Sequence, residues 1–352
     1  MDTKKSLFLD FVRIFAALLV VYGHAVMMFF GDIEGDRLIV SNMRHFAVVL
    51  FFVLSGYVIG FTTKSNNRGA QQYAVARLSR LYSMVLPALV ISFIIEMILN
   101  YIALKNIHVD VISVVRYLIT ATFMNELWLF SSAPRINVVL WSVSFEFFFY
   151  LIFGVYLYTK DKKKKVLFTI LACLFAGPKI LLMFPIWIAG YLAFIYDDKL
   201  ARFKNSFTFL LFLFFTFASY VALEPLPYVI GYKPLYFANQ FCTDLISGIL
   251  FAVTIFLFPT NLQMTISDKF VKQFRTVADF TFPIYVLHYP ILQLCKVVLN
   301  NAGDMQLQFY VSILVSLFFS VVFGYFFNKY RILWTTLFEK IFNRYNFISI
   351  NK

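Results

Sequence analysis

Ten apolar runs, most of them near the length that crosses a lipid bilayer, constrain this chain more than any other feature. They fall at 7–30, 43–61, 81–103, 138–158, 166–182, 184–196, 207–223, 243–259, 281–299 and 308–327. A bilayer core about 30 Å thick needs roughly 20 apolar residues in an α-helix, and 184–196 is the shortest of the set. Composition agrees with this reading. Of 352 residues, 61% are hydrophobic and 14% charged, with mean hydropathy +0.78. A soluble domain carries about a quarter charged residues, and no water-soluble fold could hide this much apolar surface. The 46 Phe and 21 Tyr suit lipid-facing surfaces and interfacial belts. The expected fold class is all-α: a polytopic integral membrane protein with about ten transmembrane helices, forming one domain over residues 1–352.

The net charge of +13 invites a nucleic-acid reading, which the distribution of charge removes. With the N-terminus placed in the cytoplasm, 23 of the 31 Lys and Arg fall on the inner side, including the lysine run Lys162–Lys165. A frame error of one helix would scramble that asymmetry. The positive-inside rule therefore supports an even helix count with both termini inside, and nucleic acid is not an expected partner. Lys4 and Lys5 ahead of an apolar run resemble a signal peptide, but the run is long and is interrupted by Asp10, Arg13 and His24. It reads as an uncleaved first helix. The longest stretch between runs, 104–137, is expected outside, with an interfacial helix around Val114–Phe130. His45 and His108 fall near or in outer loops and receive no chemistry. The odd cysteine count, Cys173, Cys242 and Cys295, argues against a disulfide framework.

A charge near mid-bilayer costs at least a few kcal/mol and needs a reason to be there. Arg13 and His24 are eleven residues apart, which is three helical turns plus ~20°, so both project from one face about 16 Å apart. Asp10 is an i,i+3 partner for Arg13. Arg13 as a snorkelling or paired cation and His24 as a hydrogen-bonded core histidine satisfy the same spacing. In LWSVSFEFFFYL, Ser142, Glu146 and Tyr150 recur at i, i+4 and i+8 as one polar stripe on an aromatic helix. A carboxylate there must be neutral, paired or facing a wet cavity. Arg77 and Arg80 stand one turn apart at the expected cytoplasmic start of the third helix, where free N–H groups would favour phosphate. An ordinary positive flank would look the same. Ser55–Gly56 is a small pair permitting close approach. Tyr285 and His288 share a face just before Pro290, which removes a backbone N–H. There is no HExxH or CxxC spacing, no convincing metal cage and no glycine-rich phosphate loop.

Taken in order, these segments resemble the family-three membrane acyltransferases, which O-acylate bacterial surface glycans. LDFVRIFAALLVVYGH resembles the opening helix with its arginine and histidine, and FFVLSGYVIGF the second. RLSRLYSMVLP resembles the arginine pair followed by an aromatic and a proline. LWSVSFEFFFYL resembles the Trp-Ser-x-Ser-x-Glu helix, and FTFPIYVLHYPIL the late Tyr-x-x-His-x-Pro segment. The chain departs from the pattern at Ala47-Val48-Val49, where the family has Gly-Val and a polar residue, and in lacking a C-terminal Glu-x-Pro element. The resemblance implies a bacterial cytoplasmic-membrane enzyme and acyl-coenzyme A, acetyl-coenzyme A by default, as a donor co-substrate with no tightly bound cofactor. The acceptor would be a glycan or lipid-linked saccharide. It implies that Arg77 and Arg80 hold the coenzyme phosphates, with Arg13 guiding the thioester region. His24 would act as general base or transient acyl acceptor, oriented by Glu146. Ser55, Trp141, Ser142, Tyr150, Tyr285 and His288 would line the substrate path. A transporter or flippase for a glycan or small anion is the rival class, although no inverted repeat is visible. A non-catalytic subunit of an assembly complex is a third reading, against which buried Arg13, His24 and Glu146 argue together.

Overall fold

A computed structural model describes residues 2–31, 37–66, 69–102, 111–199, 201–259, 265–300 and 303–345. His108 lies outside them. The helices are α1 (Thr3–Phe30), α2 (Arg37–Asn66), α3 (Ala70–Ile102), α4 (Val111–Ala121), α5 (Trp141–Tyr158) and α6 (Lys162–Ala176). They continue with α7 (Pro178–Ile195), α8 (Ser206–Ala222), α9 (Phe241–Phe256), α10 (Asp268–Ala278), α11 (Thr281–Val298) and α12 (Met305–Tyr345). No β-strand occurs among the described residues, only an isolated bridge between Tyr232 and Tyr236. An all-helical outcome follows from the apolar runs, because a helix satisfies its backbone polar groups within its own segment.

Among the described residues, six segments are long and apolar enough to cross a membrane: α1, α2, α3, α5 with the 3-10 turn before it (Arg135–Leu140), α7 and α12. Helices α6, α8, α9 and α11 cover the other four expected runs. Several boundaries differ from expectation. The runs at 166–182 and 184–196 are divided earlier than expected, because Gly177 adopts φ 84° and closes α6 while Pro178 opens α7. A Cβ at Gly177 would also stand 2.6 Å from Trp128 Cα. Helix α3 begins at Ala70 rather than 81, since no breaker intervenes after Gly69. Helix α12 runs for 41 residues, about 60 Å, twice the hydrocarbon thickness.

The expected interfacial helix is α4, which starts and ends earlier than Val114–Phe130. It stops at Ala121, and Phe123 and Trp128 beyond it take positive φ. Its faces are reversed relative to a water-facing helix. Ser113, Tyr117 and Thr120 are buried, whereas Val111, Ile112 and Leu118 are exposed. Tyr117 Oη donates to the buried Glu96 at 2.5 Å, so a polar face packs inward and an apolar face looks outward. That polarity fits contact with lipid rather than water.

The chain divides into two compact units. The first comprises residues 1–66 and 181–281, the second 67–180 and 282–352. In the first, α2 and α7 approach through glycine. A Cβ on Gly56 would overlap the Trp187 carbonyl, and one on Gly190 would overlap the Val53 carbonyl. Small residues let helix backbones come this close. In the second unit, Pro290 inside α11 cannot donate to the carbonyl of Val286. Asn137, at the kinked 3-10 turn, supplies the missing donor from Nδ2 at 2.9 Å and also donates to Ser92 Oγ at 2.9 Å. A sequence-visible proline thus explains why an asparagine is buried there.

Candidate functional site

In the first unit, α1 carries Arg13 and His24 as the spacing predicts. Arg13 Nη1 lies 3.5 Å from Asp10 Oδ1, the expected i,i+3 pair, with the guanidinium side chain 21% exposed. His24 is half-buried, and its Nδ1 is 3.0 Å from the carbonyl oxygen of Val20. A carbonyl can only accept, so Nδ1 carries the proton and Nε2 holds the basic lone pair. The ring orientation comes from the helix that bears it. Ser55 Oγ accepts from Trp187 Nε1 at 3.1 Å, which ties it to the α2–α7 contact.

The second unit holds the remaining expected residues. Arg77 and Arg80 lie two and three turns inside α3, so the expected helix N-terminus does not assist them. This corrects the phosphate argument from free N–H groups. Arg77 is buried, with Cζ 5.7 Å from the ring centroids of both Tyr73 and Tyr150. Arg80 sits 5.9 Å from the Phe282 ring. Such placements are attractive because a cation meets the negative face of an aromatic ring. An ordinary positive flank would be solvated; Arg77 is not.

Arg77 forms part of the wall of a cavity of about 440 Å³ between α3 and α5. Both helices contribute an i, i+3, i+4, i+7, i+8, i+11 stripe, over 70–81 on α3 and 147–158 on α5. The stripes run about 16 Å along the axes. Gly154 lets the Tyr73 ring lie against α5, because a Cβ there would stand 2.7 Å from that ring, and Tyr73 Oη donates to the Tyr150 carbonyl at 3.0 Å. Phe342 of α12 closes one side. The C-terminal extension of α12 is held on α3 by Trp334 stacked 5.8 Å from Tyr82 and by Gln71 Nε2 donating to Asn343 Oδ1 at 2.6 Å. The cavity therefore lies at the end of α3 that the charge distribution assigns to the cytoplasm.

The polar stripe of α5 divides in two. Tyr150 Oη donates to Glu146 in a short hydrogen bond, and both lie beside the arginines. Ser142 Oγ is 2.7 Å from Tyr285 Oη, which also donates to the Val139 carbonyl at 3.0 Å. Trp141 is buried and packs edge-on to Phe145. His288 is fully buried, with Nδ1 2.8 Å from the Tyr285 carbonyl and 3.0 Å from that of Ile284. Its surroundings match a histidine satisfied by its own helix.

Three buried charge clusters escaped sequence reasoning. Lys179 Nζ donates to Glu126 Oε2 and to the Phe130 carbonyl, each at 2.6 Å, with both charged side chains fully buried. His45 Nε2 lies 2.7 Å from Asp244 Oδ2, and Gln240 Nε2 donates to the same carboxylate at 3.1 Å. Lys5 and Lys204 converge on Asp197, which also accepts from Tyr57 Oη at 3.1 Å. Burial pushes the Asp197 carboxyl up, but the two ammonium groups prevail and hold it below its usual range. For Lys179, His45 and Asp244 the signal was present as an ionisable residue within an apolar run, the rule already applied to Glu146; the Asp197 cluster lies between runs and carried no such signal.

No curated protein and no solved structure matches this chain significantly. The family model for the acyltransferase domain of the acyltransferase-3 proteins matches residues 6–325, which includes every helix described above except the first residues of α1 and the last part of α12. With nine-tenths of the chain covered, this multi-pass membrane protein belongs to the acyltransferase-3 family and is an acyltransferase.

Proposed function

We propose that the protein transfers an acyl group, acetyl in the first instance, from cytoplasmic acyl-coenzyme A to a hydroxyl of a surface glycan or lipid-linked saccharide at the bacterial cytoplasmic membrane. The observation that carries this reading is the His24 imidazole. Its Nδ1 proton is committed to Val20, which presents Nε2 as the base. Nε2 takes the acceptor hydroxyl proton as the oxygen attacks the thioester carbonyl. A C–O bond forms, the C–S bond breaks, and the imidazolium returns the proton to the departing coenzyme thiolate. Donor and acceptor are thereby both accounted for without an oxidant or a metal.

The donor side of the reading rests on Arg77 and Arg80. A cavity of about 440 Å³ with tyrosines and one arginine in its walls suits a largely apolar arm ending in phosphates. Glu146 and Tyr150 position the guanidinium groups in this scheme. Ser142 with Tyr285 forms a second hydroxyl pair that would meet the acceptor, and Trp141, Ser55 and His288 support the surrounding helices. Arg13 guides the thioester region along α1. The test uses purified protein in proteoliposomes with acetyl-coenzyme A labelled in the acetyl group. Label should pass to extracted envelope glycan, and mass spectrometry of surface glycans from cells with and without the gene should differ by the acyl mass. Identical glycan spectra with no consumption of donor would defeat the proposal.

A further inference from the structure

Helix α10 cannot cross a membrane: it has 11 residues and carries Asp268, Lys269, Lys272 and Arg275. Its polar and apolar residues are nevertheless sharply separated. At 100° per residue, Phe270, Val271, Phe274, Val277 and Ala278 occupy an arc of about 120°. Only part of that arc is used inside the protein. Val271 and Ala278 are buried, while Phe270 and Val277 are 50% and 53% exposed. Phe270 and Phe274 stack on each other with centroids 5.6 Å apart, forming a flat aromatic surface on the open part of the arc. Lys269 and Lys272 are exposed on the opposite, polar arc.

The depth of the helix is set by its neighbour. Arg275 Nη2 donates to Ser6 Oγ at 3.4 Å, so α10 packs against the first turn of α1, where that long apolar helix begins. Ser267 caps α10 by accepting from the Phe270 amide at 3.3 Å, which directs the chain into the helix at that level. An amphipathic, cationic helix with exposed aromatics at the mouth of a spanning segment has the features of an element lying in the interface.

The geometry points to α10 as an anionic-lipid recognition element, its Phe270–Phe274–Val277 stripe set into the cytoplasmic leaflet and its lysines on acidic headgroups. The charge complementarity selects acidic phospholipid over neutral lipid, and the aromatic stripe selects a leaflet over a soluble anion. The test is hydrogen–deuterium exchange of residues 268–278 in the full-length protein, in nanodiscs of phosphatidylcholine alone or mixed with phosphatidylglycerol. Exchange in the wild type should slow by about tenfold in the acidic discs, an effect that added salt reduces. Lys269→Gln with Lys272→Gln should abolish the difference between lipids while leaving exchange in neutral discs unchanged. Phe270→Ser with Val277→Ser should raise exchange in both. Equal exchange of the wild type in the two lipids would overturn the assignment. So would full protection in detergent by glycerol phosphate, which would make the ligand a free anion.

Discussion

The two units use buried charge differently. In the first, Lys5 and Lys204 close on Asp197 and His45 closes on Asp244. His24 Nδ1 there meets a backbone carbonyl, that of Val20. In the second, Arg77 and Arg80 lean on aromatic faces, Arg77 beside a cavity, and among the described residues only Lys179 with Glu126 repeats the closed pattern. A cation locked to a carboxylate at 2.6–2.8 Å fastens a connecting segment in place. A cation against an aromatic wall beside open volume is the kind that the proposed function assigns to a ligand. Under the proposed function, structural and functional charge differ by partner, not by burial.

The largest expected effect comes from the exception in the first unit. His24→Gln should leave a folded, inserted protein that still binds acyl-coenzyme A but transfers acyl groups about 10²–10⁴-fold more slowly. His24→Ala should match it in rate. A structural histidine predicts the reverse ordering, with Gln tolerated and Ala lowering protein yield. Normal transfer by well-expressed His24→Gln protein would remove the base and blur the distinction between the units.

Next in size is the closed pair of the second unit. Lys179→Met alone should destabilise the protein by about 3–5 kcal/mol, because Glu126 would be left as an uncompensated buried charge. Thermal unfolding in detergent measures it, and Lys179→Met with Glu126→Gln should recover most of the loss. A double variant no more stable than the single one would mean that Lys179 does more than neutralise Glu126.

Arg77→Ala should weaken acyl-coenzyme A binding by roughly 1.5–3 kcal/mol, the worth of a charge-assisted hydrogen bond, with a smaller effect on yield. Arg77→Lys should recover only part, since a point charge replaces a planar group. Titration calorimetry reads both; unchanged affinity would assign Arg77 to packing.

The smallest effect concerns pH. Asp197 has a folded pKa depressed below its ordinary 3.8, so its contribution is complete above that value and disappears as pH falls through the lower folded value. Asp197→Asn should remove this acid-side dependence of the melting temperature without changing stability trends between pH 5 and 8. A slope that persists in Asp197→Asn would locate the acid sensitivity elsewhere.

Helix positions were largely legible in the sequence because hydropathy and backbone hydrogen bonding are both local. The Arg13–His24 face and the Arg13–Asp10 pair were legible for the same reason, since one helix fixes their spacing. Where the reading went astray, an apolar run was a poor guide to helix ends. Gly177 and Pro178 divide what hydropathy joins, and α3 continues through polar residues to Ala70. The fate of Glu146 was not legible either, because Ser142, Glu146 and Tyr150 share a stripe yet serve different neighbours.

By itself the sequence determined the membrane setting, the helical class and the motifs of an acyltransferase. All of these follow from residue type at short range. Tertiary structure alone decided which charges meet: Lys179 with Glu126 across 53 positions, and His45 with Asp244 across 199. It also decided that Arg77 borders a cavity and that Asn137 repairs the gap left by Pro290. Hydropathy is nearly unchanged when a helix rotates or slides against its neighbours, whereas a hydrogen bond is lost within an ångström. Partner choice is therefore written in packing register, which only the folded chain fixes.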